Sequence, residues 1–256
     1  MLQTDKVSYE VEKEVAYITI NRPERKNALD GETWVGLEEA AQKVELSPEI
    51  KAVILAGEGE VFTAGLDLKA ASTPGGMFMG LTLREGIETL QRVSEIFSRY
   101  ENLPVPVIAS ISGACMGAGL ELALACDIRI AAEGTVFSIP EVTFGLVPDA
   151  GGTQRLPRIV GIGMAKELVL TGRKVDAEEA LSMGLVNHLY PYSSLKDKAQ
   201  DLALGIAALP AEAVQASKRA LNMSMYANMD VGLKYETSAA ERVLGDRGRE
   251  LFKGQP

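Results

Sequence analysis

Pro106-Val107-Ile108-Ala109-Ser110-Ile111-Ser112-Gly113-Ala114-Cys115-Met116-Gly117-Ala118-Gly119-Leu120-Glu121-Leu122-Ala123-Leu124-Ala125-Cys126-Asp127 is the stretch on which the fold turns. Its first six residues form a short apolar run, typical of a strand covered on both faces of a parallel sheet. A glycine-rich turn follows, then a helix near Ala118–Ala125 and a further strand over Asp127–Ala131. A hydropathy window reads part of this differently. Leu103 to Leu120 carries no charge and contains Gly113-x-x-x-Gly117, a pairing motif of membrane helices. Pro104 and Pro106 open that run, and Glu121 and Asp127 come straight after it, so a buried strand and a turn explain it better than a membrane span.

The same alternation continues upstream. Val7–Val11 and Val15–Asn21 read as a hairpin, ended by Arg22-Pro23. Asp30 is placed to cap a helix over Glu32–Val44, with Trp34, Leu37, Ala41 and Val44 at helical spacing. Ala52–Ala56 is a second fully apolar strand, followed by a glycine-punctuated loop over Gly57–Lys69. Ser72–Gly80 reads as a mobile loop and Leu81–Tyr100 as a long amphipathic helix. Downstream, Val136–Ile139 reads as a short extra strand. Helices are then expected over Gly163–Leu170, Ala177–Ser182, Leu195–Ala208, Ala211–Met223 and Val231–Leu244. Repeated strand–helix–strand units predict an α/β fold with right-handed crossovers and a parallel sheet. A boundary near Pro191 divides a core of residues 1–190 from helical residues 191–256, which would dock on their own core or on a neighbouring subunit.

Composition bounds the partners. The 256 residues are 46% hydrophobic and 24% charged, ordinary values for a chain with a sizeable core. A net charge of −9 argues against nucleic acid or an anionic membrane as the main partner. The polar, charged Met1–Glu10 does not read as a signal peptide. Cys115 and Cys126 fit no metal or redox spacing and read as reduced thiols, so a cytoplasmic location is expected.

Several chemistries lack their residues. No nucleophile elbow, Walker lysine or dinucleotide fingerprint is present. The single histidine, His188, reads as the edge of a strand, and no histidine cluster or dense carboxylate group suggests a metal. What remains is acid–base work by carboxylates aided by backbone dipoles. Two glycine turns follow apolar strands: Phe62-Thr63-Ala64-Gly65-Leu66-Asp67-Leu68 and Ser112–Glu121. Small residues there leave N–H groups unshielded, and the second turn runs into a helix N-terminus, where N–H groups lack intrahelical partners. One N–H from each turn would suit an enolate oxygen. The alternative use of these glycines is close strand–helix packing. Glu121, one turn into an apolar helix, and Glu141, between Pro140 and Val142, sit in surroundings that raise a carboxyl pKa toward acid–base use. Taken singly, each also fits a structural ion pair.

Together these segments resemble the crotonase (enoyl-CoA hydratase/isomerase) superfamily. The resemblance runs from Asn21-Arg22-Pro23 through Asn27-Ala28-Leu29, Phe62–Leu68, Pro106–Ala109, Gly117–Asp127 and Pro140-Glu141. It continues through Gly151-Gly152-Thr153-Gln154-Arg155-Leu156-Pro157, Leu170-Thr171-Gly172 and Gly184-Leu185-Val186. It implies a crotonase-like spiral of ββα repeats with a C-terminal helical trimerisation region, assembled as a homotrimer or as a hexamer built from two trimers. It implies acyl-CoA thioester substrates, with coenzyme A part of the substrate, and no separate cofactor or metal. Leu66 and Ala118 fall on the two oxyanion N–H donors. Because these are backbone groups, Ala118 in place of a commoner glycine leaves the hole possible. Glu121 and Glu141 fall on the two hydratase glutamates. Ala64, Asp67 and Leu68 fall on the loop beside the CoA adenine, and Arg25 and Lys26 near its phosphates.

Two departures bear on activity. Asp149 stands where hydratases often carry glycine and where dienoyl-CoA isomerases carry a proton-transferring aspartate. The chain also ends soon after Leu251-Phe252-Lys253, where relatives continue with a basic, aromatic tail. The leading expectation is reversible syn hydration of a 2-enoyl-CoA by Glu121 and Glu141. The alternatives are double-bond isomerisation by Glu141 and Asp149, and a non-catalytic acyl-CoA-binding or scaffold protein. A glycosidase would also pair carboxylates, but one tryptophan offers little for sugar stacking and the glycine turns would have no use.

Overall fold

The computed structural model describes residues 2–73 and 82–251. β1 (Val7–Glu12) and β2 (Val15–Ile20) form the expected antiparallel hairpin. Its two-residue turn, Lys13-Glu14, has φ values of +48° and +65°, the left-handed pair that matches the twist of hairpin strands. A single 3-10 turn at Pro23–Arg25 leads to α1 (Gly31–Glu45). Asp30 caps it by accepting the Thr33 N–H at 3.0 Å, and Trp34, Leu37, Ala41 and Val44 are its buried face. β3 (Ala52–Gly57) is followed by the short α2 (Leu68–Ala71) and by α3 (Leu83–Asn102), which opens on a capping box made by Thr82 and Glu85. Most of the expected loop Ser72–Gly80 lies outside the described residues, as do residues 252–256.

Next come β4 (Val107–Ile111), β5 (Ala114–Met116), α4 (Ala118–Leu124), β6 (Ile128–Ala132) and β7 (Val136–Ser138). A second 3-10 turn at Glu141–Phe144 precedes α5 (Gly152–Val160), α6 (Ile162–Thr171) and α7 (Ala177–Ser182). β8 (His188–Tyr190), α8 (Tyr192–Ala207), α9 (Ala211–Ser224) and α10 (Met229–Leu251) complete the described chain.

The large sheet has the order β1-β2-β3-β4-β6-β8 and is parallel from β2 onward. β5 and β7 form a second, smaller parallel sheet, which Thr63 joins by bridging Cys115. The β4-β5 and β6-β7 pairs therefore each place one strand in each sheet, whereas β1 and β2 both lie in the large one. Alternate residues of the central strands face opposite sides. Ala16, Val53, Leu55, Val107 and Ala109 belong to the main core, while Val15, Ala52, Ile54, Ile108 and Ile130 pack under α8. α8 begins beside the boundary expected near Pro191 and buries Leu195, Ala199, Ala203 and Ala207 against the sheet.

Three elements differ from the sequence reading, among them the short α2, which begins inside the expected loop Gly57–Lys69. Ala114–Met116, read as part of a turn, is strand β5, because its pairing with β7 satisfies the backbone between two glycines. Gly152–Val160, read as no helix, is α5 despite Pro157 inside it. The leading glycines and the proline conceal it from propensity.

Candidate active site

The two glycine turns meet. Gly65 has φ of +85°, and a Cβ there would lie 2.4 Å from the Met116 carbonyl oxygen and 3.7 Å from the Ala118 nitrogen. Only glycine permits that approach. Thr63 secures the first turn: its hydroxyl donates to the Asn27 carbonyl at 2.7 Å and accepts the Gly65 N–H at 3.0 Å. Leu66 follows directly, and Ala118 opens α4. Neither N–H donates to a backbone carbonyl among the described residues. Leu66 and Ala118 line one cavity of about 630 Å³ together with Ala64, Leu68, Trp34, Glu121, Glu141 and Asp149.

Glu121 is 2% exposed on the otherwise apolar α4. Its Oε1 accepts the Gly152 N–H at 2.7 Å and the Ala150 N–H at 3.0 Å. α5 therefore points its N-terminus at this carboxylate, where helix dipole and free N–H groups favour negative charge. Burial is nonetheless the largest influence. With repulsion from Glu141 and Asp149 it overrides those N–H bonds and pushes the carboxyl up to about 8.

Glu141 begins the 3-10 turn after β7 and is half-buried. Burial, and then Asp149, raise its pKa. Its Oε2 is buried with no hydrogen-bond partner among the described residues. Gly117, with φ of +52°, makes room: a Cβ there would lie 2.7 Å from the Glu141 Oε1. Asp149 is on the exposed side of the cavity, and partial burial of its carboxyl raises its pKa as well. All three carboxylates named from sequence thus line one space. Among the described residues no group of three His, Cys, Asp or Glu side chains is placed to hold a metal ion.

The proposed CoA contacts divide. Ala64 and Leu68 line the cavity, and Arg25 and Lys26 are exposed near its loop. The Asp67 side chain points elsewhere. It is 4% exposed, pairs with Arg22 at 3.1 Å and Arg25 at 3.3 Å, and accepts the Ala70 N–H at 3.0 Å. Burial opposes its charge, but the Ala70 N–H and both guanidiniums outweigh burial and hold its pKa below the usual range. Asp67 therefore ties the loop to Arg22 and Arg25, and its own N–H donates to the Leu29 carbonyl at 2.9 Å. Sequence reading gave no role to Ala150, Gly152 or Lys174, all of which line the cavity or bond Glu121. The Gly-Gly pair ahead of α5 was the available signal.

The model describing the enoyl-CoA hydratase/isomerase family matches residues 10–248. The short-chain-enoyl-CoA hydratase of Clostridium acetobutylicum is 39% identical over 242 residues, 93% of this chain and 89% of that protein. The enoyl-CoA hydratase of Bacillus anthracis superposes with a TM-score of 0.89 at 35% identity, covering 97% of this chain and 96% of that one. A structure from Thermobifida fusca YX in complex with acetoacetyl-CoA gives 0.87 at 31% identity, covering 94% and 95%. The chain belongs to the enoyl-CoA hydratase/isomerase family, and it is an enzyme of that family's α/β fold.

Proposed function

We propose that the protein adds water reversibly and syn across a 2-enoyl-CoA to give a 3-hydroxyacyl-CoA. One observation carries the reading: two glutamates with raised pKa values line the same cavity as Leu66 and Ala118, whose N–H groups donate to no backbone carbonyl among the described residues. The thioester oxygen accepts from Leu66 and Ala118, which stabilise the enolate as charge develops. A comparable donor elsewhere is worth roughly 3 kcal/mol in the barrier. Glu121 takes a proton from water as its oxygen bonds to Cβ, and Glu141 gives a proton to Cα. The pair begins and ends with one shared proton. In the empty site burial favours that proton on Glu121, whereas the working form carries it on Glu141. These are two tautomers of one coupled pair, and activity requires the singly protonated pair. The scheme uses no metal and no separate cofactor.

The name of the Clostridium relative supports hydration. The acetoacetyl-CoA in the Thermobifida structure supports a CoA thioester substrate. The two free, buried thiols suit the reducing cytoplasm. Exposed apolar side chains on α9 and α10, including Leu221, Val231, Leu233 and Leu244, suit burial between subunits of a trimer or hexamer. No helix among the described residues is long and apolar enough to cross a membrane.

Asp149 favours a second reading. Its charge acts on both glutamates, so Glu141 and Asp149 would serve as a proton-removing and proton-returning pair in double-bond isomerisation. Product mass separates the two: hydration of a 2-enoyl-CoA adds one water, and isomerisation of a 3-enoyl- or 3,5-dienoyl-CoA adds nothing. Measurable CoA binding without turnover on a broad thioester panel would instead support a non-catalytic role.

A further inference from the structure

Ala150 is held through two successive peptide units. Its N–H donates to Glu121, and its carbonyl faces Arg155, whose Nη1 donates to it at 3.1 Å. Arg155 lies in the first turns of α5 and is only 12% exposed. It is packed so tightly on the turn that a Cβ on Gly151 would lie 1.9 Å from Nη1. The guanidinium is itself held on every side. Nε and Nη2 donate to the Glu101 Oε2 at 3.1 and 2.8 Å, and Nη2 also donates to the Ser98 hydroxyl at 3.0 Å. Glu101, near the end of α3, accepts on its other oxygen from the Tyr226 hydroxyl at 2.9 Å. Its backbone carbonyl accepts the Asn222 side-chain N–H at 3.0 Å.

A planar fork fixed by Glu101 and Ser98 holds the Ala150 carbonyl and with it the plane of the Ala150–Gly151 peptide, which lies between the two peptides that carry the Ala150 and Gly152 N–H groups. We propose that Arg155, anchored by Glu101, is a positioning residue that holds the 150–152 turn so that two N–H groups converge on one oxygen of Glu121. This rests on Glu121 acting as the base in hydration. A tie that merely staples α3 to α5 would affect stability alone. A positioning role also affects the ionisation and reactivity of a carboxylate that Arg155 does not touch. Glu141 and Asp149 are the charged groups that raise the Glu121 pKa, and neither is removed when Arg155 is changed.

The test uses the full chain with Arg155→Gln and, as a second variant that keeps the guanidinium, Glu101→Gln. Two readouts are taken: steady-state hydration, and pH titration of the Glu121 carboxyl from infrared difference spectra against Glu121→Gln. Loosened N–H bonds favour the neutral acid. Both variants are therefore expected to move the Glu121 midpoint above its wild-type value and to lower kcat about tenfold or more, with KM for the thioester within about twofold. Arg155→Lys, which cannot span the carbonyl, the hydroxyl and the carboxylate together, is expected to fall with Arg155→Gln. If Arg155→Gln does not fold, Glu101→Gln decides. An unmoved Glu121 midpoint with unchanged kcat, in a folded variant, overturns the proposal. Absence of hydration by the wild type overturns the hydratase reading instead, while the titration still reports on Arg155.

Discussion

Glu121 combines two opposed influences, and their balance has consequences that can be measured. The N–H groups of Ala150 and Gly152 favour its anion, while burial and two neighbouring carboxylates favour the neutral acid and prevail. A carboxyl whose folded pKa is about 8, against an ordinary 4.5, stabilises the fold fully below pH 4.5 and loses that stabilisation as pH rises through about 8. Glu121→Gln, which carries no charge, is therefore expected to melt above the wild type at pH 8 and higher, with the gap closing toward pH 4.5. Calorimetry across that range checks it, and a pH-independent gap contradicts it. The same substitution should lower kcat for hydration roughly 10²- to 10⁴-fold. The pair's shared proton further predicts a bell-shaped kcat/KM profile whose alkaline limb falls near pH 8. A rate still rising well beyond that pH speaks against the assignment.

At the scale of elements, α9 is fixed to the sheet by one buried ion pair. Lys218 is 6% exposed, and its Nζ donates to Asp127 at 2.7 Å and to the Val105 carbonyl at 2.9 Å. Asp127 also accepts the Val107 N–H at the start of β4. Lys218→Met strands that carboxylate and is expected to cost about 3–5 kcal/mol in urea unfolding. Adding Asp127→Asn, which keeps the Val107 acceptor, should recover part of the loss. An additive double variant would contradict the pairing. The parallel strands were legible as short, fully apolar runs such as Ala52–Ala56, and α1 through apolar residues at helical spacing over Trp34–Val44. The residues brought together around the cavity were legible through glycine turns and carboxylates in apolar runs. β5 and α5 were not. A three-residue strand owes its existence to β7, distant in sequence, and α5 starts on Gly152 and contains Pro157, both poor helix formers. The partners of Glu121 stayed hidden for the same reason, since they belong to the start of α5.

Over the whole molecule, a chain of net charge −9 is proposed to take a substrate that is itself anionic. Attraction must then be local, and Arg25 and Lys26 are exposed cations beside the Ala64–Leu68 turn. Replacing both by alanine is expected to raise KM several-fold for a CoA thioester and to leave a pantetheine thioester, which lacks the nucleotide phosphates, unchanged. Added salt should mimic the double variant on the CoA thioester alone. Equal losses on both substrates would place the phosphates elsewhere. The central claim is that the cavity joining both glycine turns adds water with two glutamates, and product mass tests it most directly. Incubated with a 2-enoyl-CoA, the wild type should yield a thioester heavier by one water. Glu121→Gln and Glu141→Gln should each bind the thioester and fail to hydrate it at a comparable rate. A product of unchanged mass, or hydration that survives Glu121→Gln intact, would contradict the account.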